Sequence, residues 1–228
     1  MIFDPNYLLF VFVPTLILSI GAQLFVRSAY SKWGKTRNGS GLSGVQVAQE
    51  IFSRTNVRSL RLEGVPGQLT DHYDPGSNVV RLSEQIATTP SVAAMAVVAH
   101  ELGHVQQHQE NSVLIQMRNF LVPGVRLAPQ IGYMMIFLGL FLRLSGLIWL
   151  GILLFGVMVV FMILTLPVEI DASRRGLALL NQSGLMVTAD DQGGARQVLT
   201  AAALTYFAAA ITAVLQLLYF VSLANNRR

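Results

Sequence analysis

From Leu127 to Pro167 the chain is predominantly apolar, too long for one membrane crossing and interrupted at Arg143-Leu144-Ser145-Gly146. A hydrocarbon core about 30 Å thick takes about 20 apolar helical residues to cross. The block therefore reads as two spans, 127–142 and 147–167, joined by a tight hairpin. Tyr7 to Val26 form a further run, interrupted only by Pro14 and Gln23, and Thr200 to Val221 form another. Four transmembrane helices are expected. The first run has the length of a signal peptide, but its basic residues Arg27, Lys32, Lys35 and Arg37 follow it and no small-residue cleavage site is evident, so a retained anchor is expected. A composition that is 53% hydrophobic and 12% charged excludes an ordinary soluble domain.

Thirteen Lys and Arg fall in segments 27–126 and 168–196, against Arg143, Arg227 and Arg228 on the opposite side. The positive-inside rule then turns the two polar segments to the cytoplasm of a multi-pass plasma-membrane protein. The organisation expected is an anchor (1–27), a cytoplasmic α+β domain (28–126), a helical hairpin in the bilayer (127–167), a cytoplasmic helical segment (168–199), and a C-terminal transmembrane helix with its tail (200–228). The net charge of +4 is explained by this topology. No basic patch interleaved with aromatics is present, so nucleic acid is not an expected partner. With no cysteine in the chain, a metal site must use His and carboxylate.

Ser43, with Gln46 three residues on, forms a capping-box pattern that opens a helix over 44–54, with Val45, Ala48, Ile51 and Phe52 on its inner face. Three β segments follow, Val57 to Leu62, Gln68 to Tyr73 and Asn78 to Ser83, and a small antiparallel sheet is expected. Pro75-Gly76 suits a type II turn. Thr89 as N-cap and Pro90 at the first helical position open the next helix, which carries His100-Glu101-Leu102-Gly103-His104.

Histidines four residues apart on a helix project from one face about 6 Å apart at Cβ, a separation one Zn²⁺ can span. Glu101 between them is placed to take a proton from an activated water and pass it to a leaving amine, the chemistry of peptide hydrolysis. Of the other histidines, His108 lies a full turn beyond His104 and about 12 Å from His100 by helix rise, too far to share an ion. Glu169 is the third-ligand candidate. Two crossings separate it from His104, and an even number returns the chain to the same side; the alternative is a carboxylate capping a helix N-terminus after Pro167. Asp171 lies about 200° round the helix from Glu169, so pairing with Arg174 or Arg175 competes with any support of a ligand histidine. Ser173 shares the face of Glu169 and is a candidate to orient a ligand histidine, with packing as the alternative.

These residues resemble a known group, the YugP-like membrane zinc metallopeptidases, relatives of the HtpX-type proteases within the gluzincins. The likeness runs through Ser40-Gly41-Leu42-Ser43-Gly44, Val65-Pro66-Gly67-Gln68-Leu69-Thr70-Asp71-His72-Tyr73-Asp74-Pro75, Arg81-Leu82-Ser83 and Ser91-Val92-Ala93-Ala94. It continues in the His100–His104 motif, Leu166-Pro167-Val168-Glu169-Ile170-Asp171-Ala172-Ser173 and Ala201-Ala202-Ala203-Leu204-Thr205-Tyr206. The resemblance implies an α-rich integral membrane protein with a small α+β gluzincin-like zinc-protease domain. It implies one Zn²⁺ per chain on His100, His104 and Glu169, with Glu101 as general base. Where broader gluzincins carry Asp four residues after the third ligand, this chain has Ser173.

By the same resemblance, the strand Asn78, Val79, Val80, Arg81, Leu82, Ser83 is the expected exposed edge to which an extended polypeptide substrate adds. His72, Tyr73, Tyr206 and Arg174 are candidate oxyanion donors. The alternatives are a hairpin histidine, a packed tyrosine, an interfacial tyrosine and a surface ion pair.

The function expected is a zinc-dependent endopeptidase acting on membrane or unfolded proteins at the cytoplasmic membrane face. The alternative from another class is a non-catalytic zinc-binding membrane scaffold or adaptor, which four protein ligands would mark. An intramembrane site is disfavoured by Gln106-Gln107-His108-Gln109-Glu110, too polar for hydrocarbon. A transporter is disfavoured because the spans lack paired acidic residues.

Overall fold

A computed structural model describes residues 4–225; the expected contribution of Arg227 and Arg228 to topology lies outside them. Four helices are long and apolar enough to cross a membrane: α1 (Pro5–Trp33), α5 (Val113–Leu142), α6 (Ser145–Gln182) and α7 (Ala189–Asn225). The number agrees with the hydropathy reading, but the helices run further. α5 begins well before Leu127 and contains Pro123 and Pro129, and α6 continues through Pro167. A helical proline costs one backbone hydrogen bond and some bending. Glu169 therefore sits inside a continuous helix and caps no N-terminus.

Two compact units emerge. The first takes in Met1–Ala22, Gln116–Pro167 and Leu204–Arg228. Its core includes Ile136, Ile148, Ile152, Phe155, Val159 and Phe220. Tyr133, Phe155 and Phe220 meet edge to face, with ring centres 5.2–5.6 Å apart. The turn between α5 and α6 falls where expected. Arg143 takes a left-handed conformation (φ 57°), and the Leu144 N–H returns to the Gly139 carbonyl at 2.8 Å, closing the helix end.

The second unit comprises Gln23–Ile115 and Val168–Ala203. In it α2 (Gly44–Arg54) begins at the expected capping box: the Gln46 N–H donates to Ser43 Oγ, and the Ser43 N–H to Gln46 Oε1. Its buried face is Val47, Ala48 and Ile51, with Val45 and Phe52 at the margin. The strands are β1 (Arg61–Val65), β2 (His72–Asp74) and β3 (Val79–Ser83). Their order is β1-β3-β2, so the sheet is mixed: β2 pairs antiparallel with β3, and β1 pairs parallel with it. The expected purely antiparallel sheet is corrected. A tight turn forces β2 and β3 to oppose one another, while the 66–71 loop carries the chain past β3. Arg81 of β3 holds the arrangement by pairing with Glu63 of β1 (3.4 Å) and Asp74 of β2 (2.8 Å).

The turn after β2 is also corrected. Gly76 keeps an ordinary φ, and Asn78 adopts the left-handed conformation (φ 52°), which asparagine tolerates. Asp74 shapes it by accepting from the Gly76 N–H and the Ser77 hydroxyl. A short helix α3 (Glu84–Thr88), absent from the sequence reading, ends at Thr89. Ser91, in place of Thr89, caps α4 (Val92–Gln109), its Oγ accepting the Ala94 N–H. At the start of α7, the buried carboxylate of Asp191 accepts the N–H groups of Gly39, Val187 and Thr188.

Candidate metal centre

Two helices supply the centre, and small residues let them approach. Ala99 and Gly103 lie one turn apart on α4, and Ala172 and Gly176 repeat the spacing on α6. A methyl group at Gly176 would lie 2.7 Å from the Ala99 carbonyl oxygen and 3.0 Å from the His100 nitrogen. One at Gly103 would overlap the Ala172 carbonyl oxygen. Backbone meets backbone here, as at small-xxx-small crossings.

That crossing brings His100 and His104 against Glu169. The Nε2 atoms stand 3.3 Å (His100) and 3.5 Å (His104) from Glu169 Oε2, and the candidate ligand atoms all lie within 4.8 Å of one another. Two ligands each about 2.0–2.1 Å from a tetrahedral ion are themselves roughly 3.3 Å apart, so the two His–Glu separations have the size the ion requires. Glu169 is 3% exposed, and its Oε2 is buried without a hydrogen bond. Three electron-pair donors facing one point, one of them an orphaned buried oxygen, suit a cation. Two imidazoles and a carboxylate are a donor set that catalytic zinc accepts.

Each ring's other nitrogen is held from behind. His100 Nδ1 meets Ser173 Oγ at 3.1 Å, and His104 Nδ1 meets Gln107 Oε1 at 3.0 Å. Partners of this kind orient ligand histidines. Burial disfavours a charged His104, but the Glu169 carboxylate beside it, Glu101 and Gln107 together outweigh burial, and its pKa rises above the ordinary histidine value. Asp171 pairs with Arg175 (2.7 Å) and also accepts from Gln107 Nε2 (2.7 Å). It therefore stands behind His104 through one intermediary. Glu101 is buried on the same helix, and its Oε2 accepts the Tyr73 N–H at 2.8 Å.

The remaining candidates fare differently. The exposed His72 turns its Nδ1 to the Thr70 carbonyl. The Tyr73 hydroxyl donates to Asn78 Oδ1, and burial, with Asp74 nearby, raises its pKa; its backbone N–H is what reaches Glu101. Arg174 is exposed on α6, and Tyr206 is half-buried on α7 in the first unit. His108 packs edge-on against Tyr73, with ring centres 5.8 Å apart. β3, the expected substrate edge, is paired on both sides, and Asn78 lies outside it in the turn. Gln107 is the residue that sequence reasoning missed. Its signal was a glutamine three residues past His104, on the same face of the helix.

Residues 8–225 match the family model described as "Putative neutral zinc metallopeptidase". The chain is 39% identical over 223 residues to the "Putative membrane protease YugP" of Bacillus subtilis (strain 168), an alignment covering 97% of this chain and 99% of the relative. No solved structure gives a significant match. The match takes in the His100–His104 motif, Glu169 and all four long helices, and by it the chain belongs to the neutral zinc metallopeptidase family.

Proposed function

We propose that the protein is a membrane-bound zinc endopeptidase that cleaves extended segments of membrane or unfolded proteins at the cytoplasmic face. The observation that carries this reading is Glu101, intact and anchored beside three converging ligand atoms. His100, His104 and Glu169 would hold one Zn²⁺. Bound there, the ion supplies Lewis acidity that polarises the scissile carbonyl and makes water easier to deprotonate.

The protein's own residues do the rest. The Tyr73 amide holds Glu101 Oε2, which leaves Oε1 to accept the proton of the attacking water and deliver it to the departing amine nitrogen. Burial of the ligand set among α4 and α6 fixes the geometry in advance. Since β3 is covered on both sides, we assign substrate pairing to β2, an edge strand beside Glu101; its Tyr73 N–H is given to Glu101 and takes no part in that pairing. A backbone ladder reads extension more than sequence. Among the described residues the cluster offers three ligands, the number of a catalytic centre; a structural site uses four.

The cytoplasmic orientation rests on the thirteen basic residues of segments 27–126 and 168–196. The test is the Glu101→Gln variant. It should bind zinc as the wild type does and lose cleavage of an unfolded test protein. Cleavage at the wild-type rate would remove Glu101 from the mechanism.

A further inference from the structure

We propose that Gln107 is a positioning residue that fixes the tautomer of His104, so that in the neutral ring Nδ1 carries the proton and Nε2 is the nitrogen left to ligate. The argument is one of donors and acceptors. Gln107 is fully buried, so each of its polar atoms must find a partner inside the protein. Its Nε2 donates to the Val168 carbonyl at 2.9 Å and to Asp171 Oδ2 at 2.7 Å. Both partners are acceptors, and Asp171 is further committed by accepting from Arg175 Nε at 2.7 Å. Turning the amide over would set its oxygen against these two oxygens. The amide therefore has one orientation, with Oε1 facing His104 Nδ1 at 3.0 Å.

An amide oxygen only accepts. Nδ1 must then carry the proton, and the neutral ring keeps its lone pair on Nε2, the atom 3.5 Å from Glu169 Oε2. Ser173 exerts no such control over His100, because a hydroxyl donates or accepts as needed. Gln107 also grips the carbonyl of Val168, the residue before Glu169, so one side chain ties a histidine of α4 to the carboxylate segment of α6. Behind it the chain of contacts continues from Asp171 to Arg175 and on to Glu110, which is half exposed.

The consequence for metal affinity rests on the zinc reading given above; the tautomer does not, which separates the two in experiment. Full-length protein labelled with ¹⁵N in its histidine rings is purified in detergent without metal, and the ring nitrogens are assigned by NMR at a pH high enough for the His104 ring to be neutral. Wild type should show His104 as the Nδ1–H form, and Gln107→Met, close in volume, should shift the ring toward the Nε2–H form. Zinc titration against a chromophoric chelator should show affinity falling about 10–100-fold in Gln107→Met. The Co²⁺ absorption spectrum should change with it, while thermal unfolding of the metal-free variant stays cooperative.

A neutral wild-type ring with its proton on Nε2 and none on Nδ1 overturns the proposal without any variant. So does a Gln107→Met protein that keeps both the Nδ1–H form and wild-type affinity. If neither protein binds zinc yet the tautomer shifts as expected, the positioning role stands and the metalloprotease reading falls.

Discussion

A single methyl group far from the motif in sequence should weaken the metal centre. At Gly176 an added Cβ would stand 2.7 Å from the Ala99 carbonyl oxygen and 2.8 Å from its carbon. Ordinary carbon-to-oxygen contacts run about 3.3–3.6 Å, so α4 and α6 must part by roughly 0.6–0.9 Å to admit it. The obstacle is backbone and cannot rotate aside. Metal sites tolerate about 0.2 Å in ligand distance, several times less than the forced separation, and Ala99 adjoins His100. Stability moves less, because overpacking costs about 1–3 kcal/mol while replacing a helical glycine by alanine returns about 1 kcal/mol. Gly176→Ala should therefore melt within a few degrees of wild type but lose zinc affinity by more than about tenfold, a loss of about 1.4 kcal/mol. Competitive zinc titration and thermal unfolding of the same detergent-solubilised samples read the two quantities. Gly193→Ala, where nothing lies within 4 Å of the added carbon, is the control. Wild-type zinc affinity in Gly176→Ala would refute the close-crossing argument.

Other expectations follow from the same contacts. Asp191→Ala leaves three backbone N–H donors of Gly39, Val187 and Thr188 without their acceptor and should cost about 3–5 kcal/mol in denaturant unfolding, whereas Asp190→Ala, at an exposed neighbour, should change little. Adding zinc to metal-stripped protein at about 100 times its Kd should stabilise it by about 2.7 kcal/mol, seen as a higher melting temperature, and His104→Gln should abolish the increment. Arg81, Ser77 and the Gly76 N–H hold the Asp74 carboxyl well below the usual carboxylate range. The depressed folded value makes its stabilisation complete above the unfolded pKa of about 3.9 and lost only as pH falls through the folded one. Exchange protection of the Gly76 and Ser77 amides should thus survive to about pH 4 and decline below it, and Asp74→Asn should remove that acid-dependent decline.

What the sequence disclosed was whatever short-range chemistry decides. Ser43 and Gln46 announced α2 because their reciprocal hydrogen bonds span only three residues. His100 and His104 announced a shared face because helical pitch sets it, and the apolar blocks announced four spans because the width of hydrocarbon sets their length. Glu169 was legible through the parity of the crossings between it and His104. The sheet was misread because strand order depends on where the 66–71 loop delivers β2, and no residue pattern within Val79–Ser83 separates a central strand from an edge. Ser91 took the cap expected of Thr89 because α3, too short to leave a periodic signal, had already claimed Thr89 for its end. Gln107 was passed over because its role exists only once Asp171 and Val168 arrive from a distant part of the chain.

The position of Glu169 also schedules the protein's birth. A ribosome that has finished the segment bearing His100 and His104 has made two imidazoles with nothing to close the set, and both hydrophobic passages of 127–167 must be synthesised before the carboxylate exists. Chain order thus works as a timer: a nascent copy carries an incomplete cluster until its return passage is made, and only then are all three candidate ligands present to meet.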